Sequence, residues 1–156
     1  MGVVSISNGL GVTDNIREYL LNRDDIVAAY LFGSRARGTA RSSSDIDIAL
    51  LLRDPDDPPE RDRISKKLDR FDRRLEIAGE LETIARAKVD VIDMEEAPLA
   101  LRHQILTDGI LLVDKDEQRR IDFEVSSRRQ YFDFRRFIER RDAAMIAGAL
   151  EDTSRG

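Results

Sequence analysis

Two apolar segments that lie close together in the chain constrain its fold more than any other feature. Residues 26–32, IVAAYLF, and residues 44–52, SDIDIALLL, each have the length of a β-strand. The first has no charged residue and ends at Gly33, which is typical of a strand covered on both faces. We therefore predict two strands, joined by a short segment of small, basic and hydroxyl residues.

Helices and further strands are predicted around this pair. Apolar periodicity predicts helices over residues 13–23, about 60–87, 95–109 and about 116–150, and short apolar runs predict strands over residues 88–94 and 110–113. Residues 53–62 hold three of the four prolines and predict a surface loop. Thr13 or Asp14 is the expected N-cap of the first helix, and Gly109 the expected left-handed end of the helix over residues 95–109. The predicted fold class is α+β, of the two-layer α/β type, with a sheet of about four strands flanked by helices and a helical C-terminal tail.

Two of the predicted helices carry long apolar stripes. The stripe expected to face the sheet from the long central helix is Ile64, Leu68, Phe71, Leu75, Ala78, Leu81 and Ala85. The stripe of the C-terminal tail is Phe123, Ser127, Tyr131, Phe134, Ile138, Arg141 and Met145. For the tail, two interpretations stay open: the stripe packs on the chain's own sheet, or part of it docks a partner. His103 is expected to have a packing role.

Composition limits the class of protein. The 156 residues are 41% hydrophobic and 37% charged, which is typical of one folded globular domain. A net charge of −5 argues against direct nucleic-acid binding. The chain has no cysteine, which excludes disulfides and thiol catalysis. Because no apolar run approaches the ~20 residues of a membrane span and no export signal is visible, we expect a cytoplasmic protein.

Two aspartates interrupt the second predicted strand. Side chains alternate between the faces of a strand, so Asp45 and Asp47 should project from one face, about 6 to 7 Å apart. Like charges this close raise at least one pKa unless a cation lies between them. Mg²⁺ prefers oxygen ligands and usually retains waters and substrate phosphates. The pair is therefore a candidate half of a magnesium site.

The turn after the first strand is a candidate phosphate site. Gly33 and Ser34 open a turn whose free backbone N–H groups, together with the Ser34 hydroxyl, can bind a phosphate. Among the arginines of this loop we select Arg37 as the one nearest the phosphates, with pairing to nearby acids as the alternative. A third carboxylate is expected from an adjacent strand. We select Asp90, in mid-strand, and expect Asp93 to be a strand-end residue facing solvent.

These motifs together resemble those of a known superfamily. Residues 33–47, GSRARGTARSSSDID, resemble the GSx10DxD motif of the DNA polymerase beta-like nucleotidyltransferases, and more narrowly the chain resembles the minimal nucleotidyltransferases over about residues 13–113. The resemblance implies a mixed sheet flanked by helices, ATP as the nucleotide donor bound at Gly33 and Ser34, and two Mg²⁺ ions. The acids implied to hold the metals are Asp45, Asp47 and Asp90, of which Asp90 is also the implied base.

The acceptor of the nucleotide is implied by the resemblance alone. The chain is similar to the antitoxins of HEPN/MNT toxin–antitoxin pairs, which implies transfer of AMP from ATP to a tyrosine of a HEPN-domain ribonuclease. Two alternatives stay open: transfer to a small molecule such as an aminoglycoside, and an antitoxin that acts by binding alone. We expect residues 1–114 to form the nucleotidyltransferase domain and residues 115–156 a helical extension that packs on it or on a partner.

Overall fold

A computed structural model describes residues 10–41, 43–54 and 62–154. In chain order the elements are α1 Leu10–Leu21, β1 Ile26–Phe32, α2 Gly33–Ala36, β2 Ile46–Leu52, α3 Arg63–Ala85, β3 Val89–Asp93, α4 Leu99–Asp108, β4 Ile110–Asp114 and α5 Glu117–Ser154. The strands lie in the order β3-β2-β1-β4. β1 is antiparallel to β2 and β4, and β2 is parallel to β3, so the predicted mixed sheet flanked by helices is confirmed.

Helices cover both faces of this sheet. One core cluster joins α1 and α3 to the sheet through residues such as Leu20, Ile48 and Leu81. The other lies between the sheet and α4, with Ile105 and Leu51 at its centre and Phe123 of α5 packed against it. The arrangement therefore has three layers where two were expected, because the helices that follow β3 and β4 lie on the opposite face from α1 and α3. β1 is buried on both faces, as its unbroken apolar sequence predicts.

Two predicted helix ends were wrong. α1 begins at Leu10, so Thr13 and Asp14 lie inside the helix and cap nothing. Gly109 follows α4 with a φ of −72°, which is not left-handed. Its N–H donates to the Ile105 carbonyl over 2.7 Å, and a Cβ at this position would collide with that same oxygen. Glycine is thus required here for close backbone approach and not for handedness.

The start of α3 is fixed by a side chain. Asp62 precedes the helix, and its carboxylate accepts a hydrogen bond of 2.8 Å from the Ser65 N–H, as an N-cap does. Most of the surface loop predicted over residues 53–62 lies outside the described residues. Within the described ranges, no helix is long and apolar enough to cross a membrane.

Asp93 does not face solvent as predicted. It is buried, and its Oδ2 accepts a hydrogen bond of 2.7 Å from Arg70, which is also buried. The same guanidinium donates to Asp54 and to Glu95, and Arg119 of α5 donates to the other oxygen of Glu95 over 2.8 Å. A buried charge is tolerated only when it is paired and hydrogen-bonded. This network therefore ties α3 to the ends of β2 and β3 and to the start of α5.

The tail stripe divides into two halves. In the first half, Ser127 is buried, Phe123 packs against the core, and Tyr131 stacks on His103 with ring centres 3.9 Å apart. In the second half, Phe134 and Met145 are exposed. The half-buried His103 therefore has the expected packing role. The docking role of the second half stays a prediction.

Removing the cation of the Arg70 network should destabilise the fold strongly. Arg70→Met leaves Asp93 buried without its partner, so we expect a loss of about 3 kcal/mol in the free energy of unfolding. Lys67→Met is the matched control, because Lys67 and Glu96 are 3.7 Å apart at the exposed surface, where a pair contributes about 1 kcal/mol or less. Urea unfolding measures both. Equal losses in the two variants would contradict the structural role given to Arg70.

Candidate active site

The turn after β1 brings a glycine against a carboxylate. Phe32, the last residue of β1, is the register partner of Asp47 on β2. Gly33 follows with a φ of +73°, and a Cβ built on it would collide with the Asp47 carboxylate. Glycine is therefore required at this position twice, for its backbone conformation and for its lack of a side chain. Gly33 and Ser34 begin α2, and the first N–H groups of a helix have no acceptor within it.

Asp47 and Asp90 lie side by side. They are register partners on the adjacent parallel strands β2 and β3, where neighbouring strands are about 4.8 Å apart. Both line a cleft of about 530 Å³. Burial raises the pKa of the Asp47 carboxyl, and the charges of Asp90 and Asp45 raise it further, while Arg37 and Lys88 oppose the shift. Three negative charges therefore meet at this point of the sheet without full compensation.

Asp45 is paired with a lysine side chain. Its Oδ2 lies 3.6 Å from the Nζ of Lys88, which precedes β3. In the described part of the chain, no group of three or more acidic, histidine or cysteine side chains stands ready to hold a metal ion. The set of oxygen donors nevertheless suits Mg²⁺. Burial contributes most to the raised pKa of Asp47, and a cation would relieve the further contribution from the charges of Asp90 and Asp45. A cation bound by Asp45 would compete with Lys88 for its carboxylate.

Hydrogen bonds connect described residues of the segment that joins the phosphate turn to the acids. Arg35 donates to the Ser44 carbonyl over 2.8 Å, and the Arg41 N–H donates to the Ser44 hydroxyl over 2.8 Å. Arg35 thus contacts Ser44 through its side chain, and Arg41 does so through its backbone. Arg37 is exposed, and its charge acts on Asp47. This placement suits both interpretations of Arg37, as a phosphate ligand and as a partner of the acids.

Sequence reasoning missed Lys88. No motif marks this residue, yet the parallel register that pairs Ile46 with Val89 also places the preceding residues, Asp45 and Lys88, next to one another. The signal becomes readable once β2 and β3 are known to be parallel and in this register. A lysine that immediately precedes the strand with the third acid is then expected to lie beside Asp45, the first acid of the motif.

Comparison with known proteins identifies the family of this chain. Residues 14–118 match the family described as Polymerase beta, Nucleotidyltransferase. The chain belongs to this family. The matched residues include the turn at Gly33 and the acids on β2 and β3.

Individual relatives are more specific. The chain is 36% identical over 80 residues to the protein adenylyltransferase MntA of Shewanella oneidensis. That alignment covers 51% of this chain and 48% of the relative, so the chain spans about half the length of the curated relative that it matches.

Solved structures of toxin–antitoxin complexes resemble the chain over most of its length. A toxin–antitoxin structure with AMP-PNP is 27% identical, with a TM-score of 0.60, covering 88% of this chain and 98% of that chain. The MntA–HepT toxin–antitoxin structure is 26% identical, with a TM-score of 0.56, covering 89% of this chain and 97% of that chain.

Two glycines with the same backbone conformation provide a test of the turn. Gly33→Ala and Gly38→Ala both place a side chain at a φ near +72°, which costs about 1–2 kcal/mol for an L-residue. At Gly38 the added Cβ meets nothing within 4 Å, whereas at Gly33 it meets the Asp47 carboxylate. We expect both variants to lose stability, Gly33→Ala more than Gly38→Ala because of this added clash, and we expect binding of an ATP analogue, measured by calorimetry, to be lost in Gly33→Ala alone. Equal nucleotide affinity in both variants would contradict the site.

Proposed function

We propose that this chain is a magnesium-dependent protein adenylyltransferase. In this proposal it transfers AMP from ATP to a tyrosine hydroxyl of a HEPN-family ribonuclease toxin and acts as the antitoxin of that toxin. Residues 1–114 form the catalytic domain and residues 115–156 the helical extension. The observation that carries the proposal is the contact of the Gly33 turn with Asp47, which lies beside Asp90 on the next strand.

The comparisons support the choice of reaction and partner. The curated relative is an adenylyltransferase, and one solved relative is a toxin–antitoxin complex with an ATP analogue. The MntA–HepT complex is an antitoxin together with its toxin. The alignment with the curated relative covers only about half of that protein, so substrate and partner are transferred to this chain as a proposal.

Each residue of the site has a role in this reaction. Gly33 and Ser34 bind the phosphates of ATP through backbone N–H groups and the hydroxyl, and Arg37 adds positive charge beside them. Magnesium would be held by Asp45, Asp47 and Asp90, where it would neutralise charge on the triphosphate. The bond from the α-phosphorus to the bridging oxygen breaks while a bond to the tyrosine oxygen forms. Pyrophosphate leaves with the bonding electrons, and Asp90 accepts the tyrosine proton.

Positioning contributes most of the rate in such a reaction, because no covalent enzyme intermediate is required. The hydrogen bonds of Arg35 and Arg41 to Ser44 and the strands β2 and β3 supply that positioning. Two strands with fully buried apolar neighbours keep Asp47 and Asp90 at a fixed separation even though their charges repel.

Transfer of labelled AMP tests the proposal. The protein is incubated with Mg²⁺, ATP labelled at the α-phosphate and a HEPN-domain protein, the proposed acceptor. We expect label on a tyrosine of that protein, and a loss of roughly a thousandfold or more in Asp90→Asn, since the base is removed. Asp72→Asn on the exposed surface of α3 is the matched control and should keep full activity.

Other outcomes of these experiments would indicate a different function or a different site residue. Label on a small molecule, with none on protein, would favour transfer to an acceptor such as an aminoglycoside. If Asp45→Asn/Asp47→Asn still protects cells from the toxin as well as the natural chain does, neutralisation occurs by binding alone. Full activity of Asp90→Asn would remove Asp90 from the site.

A further inference from the structure

The apolar stripe of α3 leaves the core half-way along the helix. Leu81 and Ala85 belong to the core cluster, and Ala78 packs against it. In the first half of the helix the side chains of the stripe remain accessible to solvent. Those residues and their exposed fractions are Ile64 at 72%, Leu68 at 58%, Phe71 at 48% and Leu75 at 53%. We call these four residues the α3 strip. Contiguous exposed apolar surface of this kind marks an interaction site.

The α3 strip is continuous with the active-site cleft. Leu75 lines the cleft that contains Asp47 and Asp90. The other three strip residues line a second cleft of about 370 Å³. Arg74 lines both clefts, and its guanidinium carbon lies 5.1 Å from the centre of the Phe71 ring. A molecule that lies along the strip therefore reaches the two carboxylates at Leu75.

The order of the strands indicates which of the two reactants, the nucleotide or the acceptor, enters the active site from the side of the α3 strip. Gly33 follows β1, Asp47 lies on β2, and Asp90 lies on β3. β3 is the edge strand next to β2, and α3 packs against it. With the triphosphate at the Gly33 turn, pyrophosphate leaves on the β1 side. In an in-line displacement the nucleophile attacks from the side opposite the leaving group. The acceptor hydroxyl must therefore enter past β3, on the side of the α3 strip.

The length of the α3 strip indicates whether the acceptor is a small molecule or a protein. From Ile64 to Leu75 the helix rises roughly 16 Å, at about 1.5 Å per residue. A small molecule with its hydroxyl between Asp47 and Asp90 would leave most of this row exposed, whereas a protein surface can cover it. The second cleft beside this row also has charged residues, of which Lys67 is paired with Glu96 and Arg70 with Asp93. The complementary surface is therefore mainly apolar, with an acidic residue opposite Arg74, which lines both clefts.

We propose that the α3 strip is the docking surface for the acceptor protein. The acceptor covers the strip with an apolar patch beside its modified tyrosine, and this contact holds the tyrosine hydroxyl at Asp90. The inference rests on the proposed function, because the direction of approach follows from phosphate binding at Gly33. The inference identifies the surface with which the chain recognises its acceptor protein.

Variants at the far end of the strip separate docking from chemistry. Ile64→Glu/Leu68→Glu changes two exposed side chains that do not line the active-site cleft. With a HEPN-domain protein as acceptor, we expect kcat/KM for AMP transfer to fall at least roughly tenfold, mainly through KM for the acceptor. The affinity for an ATP analogue, measured by calorimetry, should stay unchanged. Val125→Glu, which changes a 52% exposed residue of α5, is the matched control and should transfer normally.

The result that overturns the inference is a strip variant with the kcat/KM of the natural chain. If the natural chain itself transfers no AMP, the proposed function fails, and the strip is then tested by binding alone. In that case calorimetric titration of the HEPN-domain protein into the natural chain and the strip variant decides. Equal affinities reject the docking surface, and weaker binding by the strip variant alone supports it.

Discussion

The repulsion among Asp45, Asp47 and Asp90 is the constraint on which the rest of the structure depends. Isolated carboxylates at this spacing would move apart or become protonated. Here the backbone prevents separation, because Asp47 and Asp90 are register partners on adjacent strands. The burial of β1 and β2 on both faces makes this sheet stiff enough to hold them. The fold thus maintains a negative potential beside a turn that offers free N–H groups, which is the combination that a metal nucleotide requires.

The surrounding elements serve this constraint in different ways. The Arg70 network fixes the far end of β3, while Asp90 near its start is exposed. Lys88 compensates part of the charge by pairing with Asp45. The exchange of that pair for a cation would couple metal binding to a local rearrangement. α3 contributes at both of its ends, since its second half covers the sheet while its first half forms the α3 strip.

Features encoded locally could be predicted from the sequence, and features that need tertiary contacts could not. The apolar runs of β1 and β2 and the spacing from Ser34 to Asp47 identified the strands, the sheet and the family before any coordinates. Asp93 was misjudged because its partner, Arg70, lies on a helix 23 residues earlier, and no local pattern links the two. Likewise Leu68 and Leu81 belong to one helical stripe. Which of them is core depends only on where α3 passes the edge of the sheet.

Thermal unfolding of Asp47→Asn tests the central claim most directly. Because the native pKa of Asp47 is raised, its ionisation costs stability as the pH rises above about 3.8, its ordinary value. At neutral pH and without divalent cations, Asp47→Asn should therefore unfold at a higher midpoint temperature than the natural chain. The difference should vanish below about pH 3.8, and excess Mg²⁺ with an ATP analogue should reverse it, since only the natural chain gains from binding. Asp14→Asn on the exposed face of α1 is the control and should show no such pattern. A lower midpoint for Asp47→Asn at neutral pH without cations would contradict the account.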